Sequence, residues 1–245
     1  MKKALEYLEN LNRIINNIIE NQIEAIEECA AAFAEALEND RNIFLFGTGH
    51  SHMLAEELFY RAGGLVKIQP VLETALMLHE SAAKSTEIER LPGYADILFE
   101  TYSMKKDDVI VIISNSGRNG VCVDMAQLAK EKGLKVAALT NLNHSKSMES
   151  RHPSGKKLYQ FADIVLDNMG CVGDASVHFE QLGRNAAPTS TSAGAAILNA
   201  VVAGCIEKML DDGVTPEVFS SSNVDGGDEV NEVFVRKYRG KIRSL

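Results

Sequence analysis

The sequence predicts an α/β fold: a three-layer sandwich with a five-stranded parallel sheet, preceded by a long N-terminal helical segment and followed by C-terminal helices. Two observations predict it. Short uninterrupted apolar runs recur through the middle of the chain, the pattern of strands buried on both faces. Between them lie stretches with apolar residues three and four apart, several closed by glycine, the pattern of amphipathic helices. Strands that alternate with helices call for crossover connections, and crossovers make a parallel sheet.

Taken in order, residues 3–38 read as one helix, with apolar positions at Leu5, Leu8, Leu11, Ile15, Ile18, Ile23, Ile26, Ala30, Phe33 and Leu37. Such a stripe suits packing on its own domain or on a partner helix. The first strand is "NIFLFG" (42–47), followed by a helix over 50–64 that ends at Gly63-Gly64. "LVKIQPV" (65–71) gives a second strand and "LETALMLHESA" (72–82) a second helix. "DVIVII" (108–113) is the third strand, and the helix after it spans 119–132 and stops at Gly133. "KVAALT" (135–140) and "ADIVLD" (162–167) complete the sheet. A long apolar helix starts in "PTSTSAGAAILNAVVAGCIEKML", and a polar tail with a Gly-Gly turn and an apolar-basic helix closes the chain. Alone, that tail has too little apolar surface to be stable. The expected organisation is a helical segment over 1–40, an α/β ligand-binding domain over 41–212, and a tail over 213–245 packed on the domain or on a partner subunit.

Composition narrows the function classes. The 245 residues carry a formal charge of −9, which argues against a nucleic-acid binder that must displace counterions with a basic face. Residues 1–40 hold nine acidic and three basic side chains, which argues against a DNA-reading helix pair there. Four cysteines (Cys29, Cys122, Cys171, Cys205) lie in or beside apolar segments without metal-like spacing, as reduced core thiols do. No uninterrupted apolar run approaches the ~18 residues of a membrane span, and "MKKALEYLENLNRI" lacks a signal-peptide core. A cytoplasmic protein with no membrane partner is expected.

In doubly wound sheets ligands sit beyond the carboxyl ends of the strands. After the first strand comes Gly47-Thr48-Gly49-His50-Ser51-His52. The dinucleotide fingerprint would place a third glycine where His52 stands, so a nicotinamide-type cofactor is disfavoured. A tight turn carrying hydroxyls at a helix start suits a compact anion, or is a plain turn with a serine cap. After the third strand comes "SNSGRNG" (114–120), in which five of seven side chains can hydrogen-bond. A helix cap needs one of them. Ser114, Ser116 and Asn119 can donate around a helix N-terminus whose free N–H groups carry about half a positive charge, and Gly117 lets backbone approach a ligand. The surplus of donors suits a phosphate.

Here the residues resemble a family. "FGTGHS", "ISNSGRN" and "VAALTN", in this order, resemble the sugar isomerase (SIS) domain, and "APTSTSAGAAILNAVVAG" (187–204) is similar to the last long helix of arabinose-5-phosphate isomerases and N-acetylmuramic acid 6-phosphate etherases. The resemblance covers about residues 40–210. It implies a flavodoxin-like sheet and a phosphorylated sugar as ligand. Gly49, Ser51, Ser114, Asn115, Ser116, Gly117 and Asn119 would lie at the phosphate, with Thr189 and Ser190 at the sugar. It also implies a homodimer or tetramer. Members often carry Thr or Ser where this chain has Arg118 or Asn119.

Isomerisation needs a base beside the sugar carbonyl, worth roughly 10²–10⁴-fold in rate. The segment after the second strand offers Glu73, His79, Glu80, Glu87 and Glu89. The isomerases carry a Pro-x-Glu-x-x-His-like run that "PVLETALMLHE" follows loosely, so the catalytic candidates are Glu73 and Glu80, then His79. For each of them a solvated helix face is the competing reading. His50 and His52 are two apart and would not share a helix face for zinc. Phosphoheptose isomerases use zinc with a histidine near the last helix, where this chain has His178 in "GDASVHFEQLG", a poor match. His178 and Glu180 are expected to line the site or a subunit contact, and no metal or cofactor is expected. The leading expectation is an aldose–ketose sugar-phosphate isomerase. The alternatives are a phosphosugar lyase of the etherase type and a non-catalytic phosphosugar sensor.

Overall fold

The computed structural model describes residues 2–245. Two helices, α1 (Lys2–Asn21) and α2 (Ile23–Glu38), lead into β1 (Ile43–Gly47) and the short α3 (Met53–Leu58). Then come β2 (Ile68–Val71), α4 (Ala82–Ile88), α5 (Tyr94–Thr101), β3 (Val109–Ile113), α6 (Gly120–Glu131), β4 (Lys135–Thr140) and α7 (Leu142–Ser147). The chain continues through β5 (Ile164–Asp167), a hairpin of β6 (Ala175–Phe179) and β7 (Arg184–Pro188), α8 (Ser190–Asp211) and α9 (Gly227–Tyr238).

Strands β1 to β5 form one sheet in the order β2-β1-β3-β4-β5, parallel throughout. Alternation along each strand splits the core in two. Ile43, Leu45, Val109, Val111 and Leu139 face α2, α3 and α8, whereas Phe44, Phe46, Ile110, Ile112 and Ala138 face α5 and α6. Both sets are buried, which is why these strands read as continuous apolar runs. The chain leaves β1 toward β2 on one side and returns to β3 on the other. Beyond their carboxyl ends the order reverses, and a crevice opens there.

Several elements differ from the sequence expectation. The predicted helix over 3–38 is two helices, broken at Gln22, whose backbone leaves the helical region (φ −121°, ψ 0°). Its side-chain oxygen accepts from the Asp167 N–H at the end of β5 at 2.9 Å. The predicted helix over 72–82 is only a 3₁₀ turn at Thr74–Leu76. The Leu72 N–H is engaged by the Tyr102 hydroxyl and the Ser85 hydroxyl holds the Leu76 carbonyl, so tertiary partners replace helical ones. The β6–β7 hairpin and helices α4 and α5 were not foreseen.

Helix α8, with 22 residues and a mean hydropathy of 1.5 over its most apolar stretch, is long and apolar enough to cross a membrane, which amends the expectation that no segment qualifies. In this fold Ile197, Leu198, Val201, Val202 and Cys205 of that helix are buried in the core cluster with Phe33 and Cys29 of α2. The tail lies on the chain's own β2 edge. Leu65 bridges Val218, Gln69 donates to the Lys241 carbonyl at 3.0 Å, and Val66, Phe219, Tyr238 and Ile242 close over one another.

Candidate functional site

The crevice is bounded by the turn after β1 and the loop after β3. At Gly47 a Cβ would stand 2.6 Å from the Ser51 carbonyl carbon, so only glycine allows the chain to fold back so tightly. That turn brings Thr48 inward and leaves Ser51 half-buried and His50 exposed at the rim. His52 is buried, its Nδ1 on the Gly49 carbonyl. Gly117 adopts φ +58°, and a Cβ there would press on Leu158 Cβ and Ser145 Oγ at 3.2 Å. Its left-handed turn is held by Ser114, whose Oγ accepts from the Gly117 N–H at 3.1 Å.

The loop from Ser116 to Asn119 then crosses the start of α6. Among the described residues, the N–H groups of Ser116, Arg118 and Asn119 have no acceptor, and the Arg118 Nε is buried without a partner. An unpaired buried donor costs about 1–3 kcal/mol, so the Arg118 Nε, beside free N–H groups at a helix start, marks a place that favours an anion. Arg118 also lies close enough to His144 to act on it: burial first, then the Arg118 charge, holds that imidazole below its usual range. The Gly173 N–H donates to His144 Nδ1 at 3.2 Å, which suits the neutral ring.

On the α8 face of the sheet a small cleft of about 30 Å³ is lined by His50, Ser51, Asn115, Asn168, Ser190 and Thr191. Its polarity is set by three linked amides. Asn141 Oδ1 accepts from the His144 N–H at 2.7 Å, so its nitrogen donates to Asn168 Oδ1 at 2.9 Å. Asn168 in turn donates to Asn115 Oδ1 at 2.8 Å. The remaining amide nitrogen of Asn115 is therefore the group left to the cleft, and it can only donate. At the same rim Asp174 caps α8, accepting from the Thr189 and Ser190 N–H groups at 3.0 and 2.8 Å and from the Ser190 hydroxyl at 2.6 Å.

On the α6 face stands Glu89. Its Oε2 accepts from the Thr48 hydroxyl at 2.8 Å and its Oε1 from the Asn119 amide at 2.7 Å. Its own carbonyl accepts from the Val121 N–H of α6 at 3.1 Å. Burial pushes the Glu89 carboxyl above its usual range, and the Thr48 hydrogen bond only partly opposes that. A half-buried carboxyl bridging the two ligand-side loops, with its proton affinity raised, is the arrangement of a proton-transfer group. Beneath it the Cys122 thiol is pushed up to about 12 by burial and the Glu89 charge, so it stays protonated.

The residues expected at the site fall into three groups. Gly49, Ser51, Ser114, Asn115, Ser116, Gly117 and Asn119 come together at the β1–β3 crevice, with Ser114 turned inward to shape the loop. Ser190 reaches the cleft, whereas Thr189 is fully buried beside it with its hydroxyl unpartnered. Glu73, His79 and Glu80 lie on the loop after β2. Glu73 accepts from the Ala75 N–H at 3.2 Å and faces Tyr94, His79 is exposed, and Glu80 is an exposed partner of Lys84 that holds its carboxyl below the usual range. Glu87 is an exposed partner of Arg90 at 4.0 Å. His178 bonds Asn185 across the hairpin and Glu180 is exposed. Among the described residues no three His, Cys, Asp or Glu side chains gather as a metal would need. Sequence reasoning did not single out Asn141 and Asn168, and it named Glu89 only among the acidic residues after the second strand. The one local signal for Glu89 was its place among the acidic residues of "STEIERL".

A family model described as SIS domain matches residues 6–141. A UPF0309 protein of Listeria innocua is 46% identical, the match covering 98% of this chain and 97% of that protein. One from Halalkalibacterium halodurans is 43% identical over 98% of this chain and 96% of its own length. Among solved structures, a phosphoheptose isomerase from Francisella tularensis superposes with a TM-score of 0.57 at 17% identity, covering 84% of this chain and 97% of that one. The NanR protein of Vibrio vulnificus, complexed with ManNAc-6P, gives 0.50 at 17% identity over 96% of this chain and 68% of that one. At such identities these superpositions speak for the fold alone.

Proposed function

The chain belongs to the SIS domain family, and from that premise we propose that it binds a sugar phosphate and removes the proton from the carbon beside the sugar carbonyl, the first step of an aldose–ketose isomerisation. The observation that carries this is Glu89, a carboxyl with raised proton affinity held by Thr48 from the first ligand loop and Asn119 from the second. The Ser116 hydroxyl, the free N–H groups of Ser116, Arg118 and Asn119, the start of α6 and the Arg118 guanidinium hold the phosphate. Hydrogen bonds to a charged group are worth about 1.5–3 kcal/mol each, enough to fix the ligand without a lysine. Ser51, Ser190 and the Asn115 amide meet acceptor oxygens of the sugar.

Glu89 takes the proton from the carbon, and the bonding pair moves toward the carbonyl oxygen to give an enediolate. A proton passes from the neighbouring hydroxyl oxygen to the former carbonyl oxygen, and the protonated Glu89, after exchange with solvent, delivers a proton to the neighbouring carbon as the new carbonyl forms. A base works best when its pKa is close to the operating pH, and partial burial moves a glutamate that way. Glu73, His79 and Glu80 take no part in this assignment, because each is engaged or exposed on the neighbouring loop. A phosphosugar lyase would begin with the same proton removal and then expel a substituent, so the products separate the two reactions. Membership of the SIS domain family supports a sugar phosphate as the ligand class, and the fold is the one shared with a phosphoheptose isomerase and with a protein complexed with ManNAc-6P.

Proton NMR in deuterated water with a panel of sugar 5- and 6-phosphates tests this. The signal of the hydrogen beside the carbonyl should disappear with the native protein. With Glu89→Gln it should persist for roughly 10²-fold longer or more, while ligand line broadening remains. Binding without exchange would leave a phosphosugar sensor. No binding at all would remove the phosphate loop from this account.

A further inference from the structure

A strap of chain between α7 and the turn at Leu158–Gln160 crosses over the phosphate loop. It is fastened by the backbone at two points, the Arg151 N–H on the Arg118 carbonyl at 3.0 Å and the Leu158 N–H on the Gly117 carbonyl at 2.9 Å. A third fastening is His152, whose Nε2 lies 2.6 Å from Asp124 Oδ1 on α6. Held in this way, the Arg151 guanidinium donates to Asn119 Oδ1 at 3.1 Å.

A guanidinium can only donate, so Asn119 must turn its oxygen to Arg151 and its nitrogen to Glu89. We propose that Arg151 is a positioning residue for Glu89: it fixes the Asn119 amide as a donor to the carboxylate and so favours the form able to accept a proton. This rests on Glu89 being the base of the proposed reaction. Without Arg151 the amide is free to flip, and its oxygen can then accept from a protonated Glu89, which favours the acid instead. Arg151 and Arg90 are the cations acting on Glu89, and both lower its proton affinity against the opposing effect of burial. The other neighbours are the neutral Thr48 hydroxyl and the Cys122 thiol of α6.

The test reads Glu89 directly in the ligand-free protein. Glutamate labelled with ¹³C at the side-chain carboxyl is titrated by NMR, with the Glu89→Gln spectrum identifying the resonance. Arg151 is exposed and its backbone fastenings do not need its side chain, so Arg151→Ala should fold. Its Glu89 midpoint should rise by about half a pH unit, and Arg151→Lys, which keeps both donor and charge, should return close to the native value. The rising limb of the exchange rate against pH should move by the same amount in the alanine variant. An unchanged midpoint in Arg151→Ala, or a lysine variant displaced as far as the alanine one, overturns the proposal. If the midpoint moves as expected but no sugar phosphate exchanges its proton, the positioning role stands and the proton-transfer function falls.

Discussion

At Gly117 the backbone is left-handed and the space beside it is closed by Leu158 and Ser145. Gly117→Ala should therefore cost about 1–3 kcal/mol in chemical denaturation and weaken phosphosugar binding as the loop is displaced. Ser116 beside it is half-buried, and Ser116→Ala should leave stability within about 0.5 kcal/mol while weakening binding at least about tenfold, for a loss near 1.4 kcal/mol. Calorimetric titration with a sugar phosphate reads the second effect, and unchanged affinity would take Ser116 out of the site. The turn at Gly117 was legible in the sequence because its cause is local, set within "SNSGRNG", the same stretch that singles out Ser116. Glu89 was not, because its partners Thr48 and Asn119 lie 41 and 30 positions away. Nothing in "STEIERL" distinguishes the half-buried Glu89 from the exposed Glu87 two places earlier.

The five strands were visible because a parallel strand covered on both faces leaves no polar alternation to confuse it. Elements that depend on partners far along the chain were not. The break at Gln22 exists because β5 offers it a backbone N–H, and the apolar positions at 72–82 are held by Tyr102 and Ser85. The hairpin carries half-buried and exposed residues, with Val177 alone buried. Two changes test how the elements are joined. Asn168 ties the ends of β3, β4 and β5 through Asn115 and Asn141, so Asn168→Ala should cost about 1–3 kcal/mol by stranding their amides. It should also weaken ligand binding, whereas an equally stable variant would deny the link. Tyr238 of α9 closes the tail cluster, so Tyr238→Ala should cost about 3 kcal/mol, with amide exchange accelerating first in α9 and along β2.

For the molecule as a whole, Glu89 sets a pH dependence of stability. Its folded pKa is raised by burial, so the native state binds its proton more tightly than the unfolded chain does. The native state is thus favoured by this group at low pH, and that benefit is lost as pH rises from the ordinary glutamate range through the raised folded value. Glu89→Gln should therefore melt at a higher temperature than the native protein at pH 7–8, and the difference should shrink as pH falls below about 4, near the ordinary glutamate value. A lower melting temperature for the variant at neutral pH would contradict the burial assigned to this group. The proposed catalytic carboxyl would then be a place where activity and stability oppose each other.

The pairing of α2 with α8 has a consequence for biosynthesis. The apolar face formed by Ile26, Cys29, Ala30 and Phe33 is made early, but its cover, Ile197, Leu198, Val201 and Cys205, is made only after every strand of the sheet. A chain still attached to the ribosome therefore carries a finished sheet sequence with one side only partly covered, and until α8 emerges the bare face of α2 is a surface for a chaperone to shield.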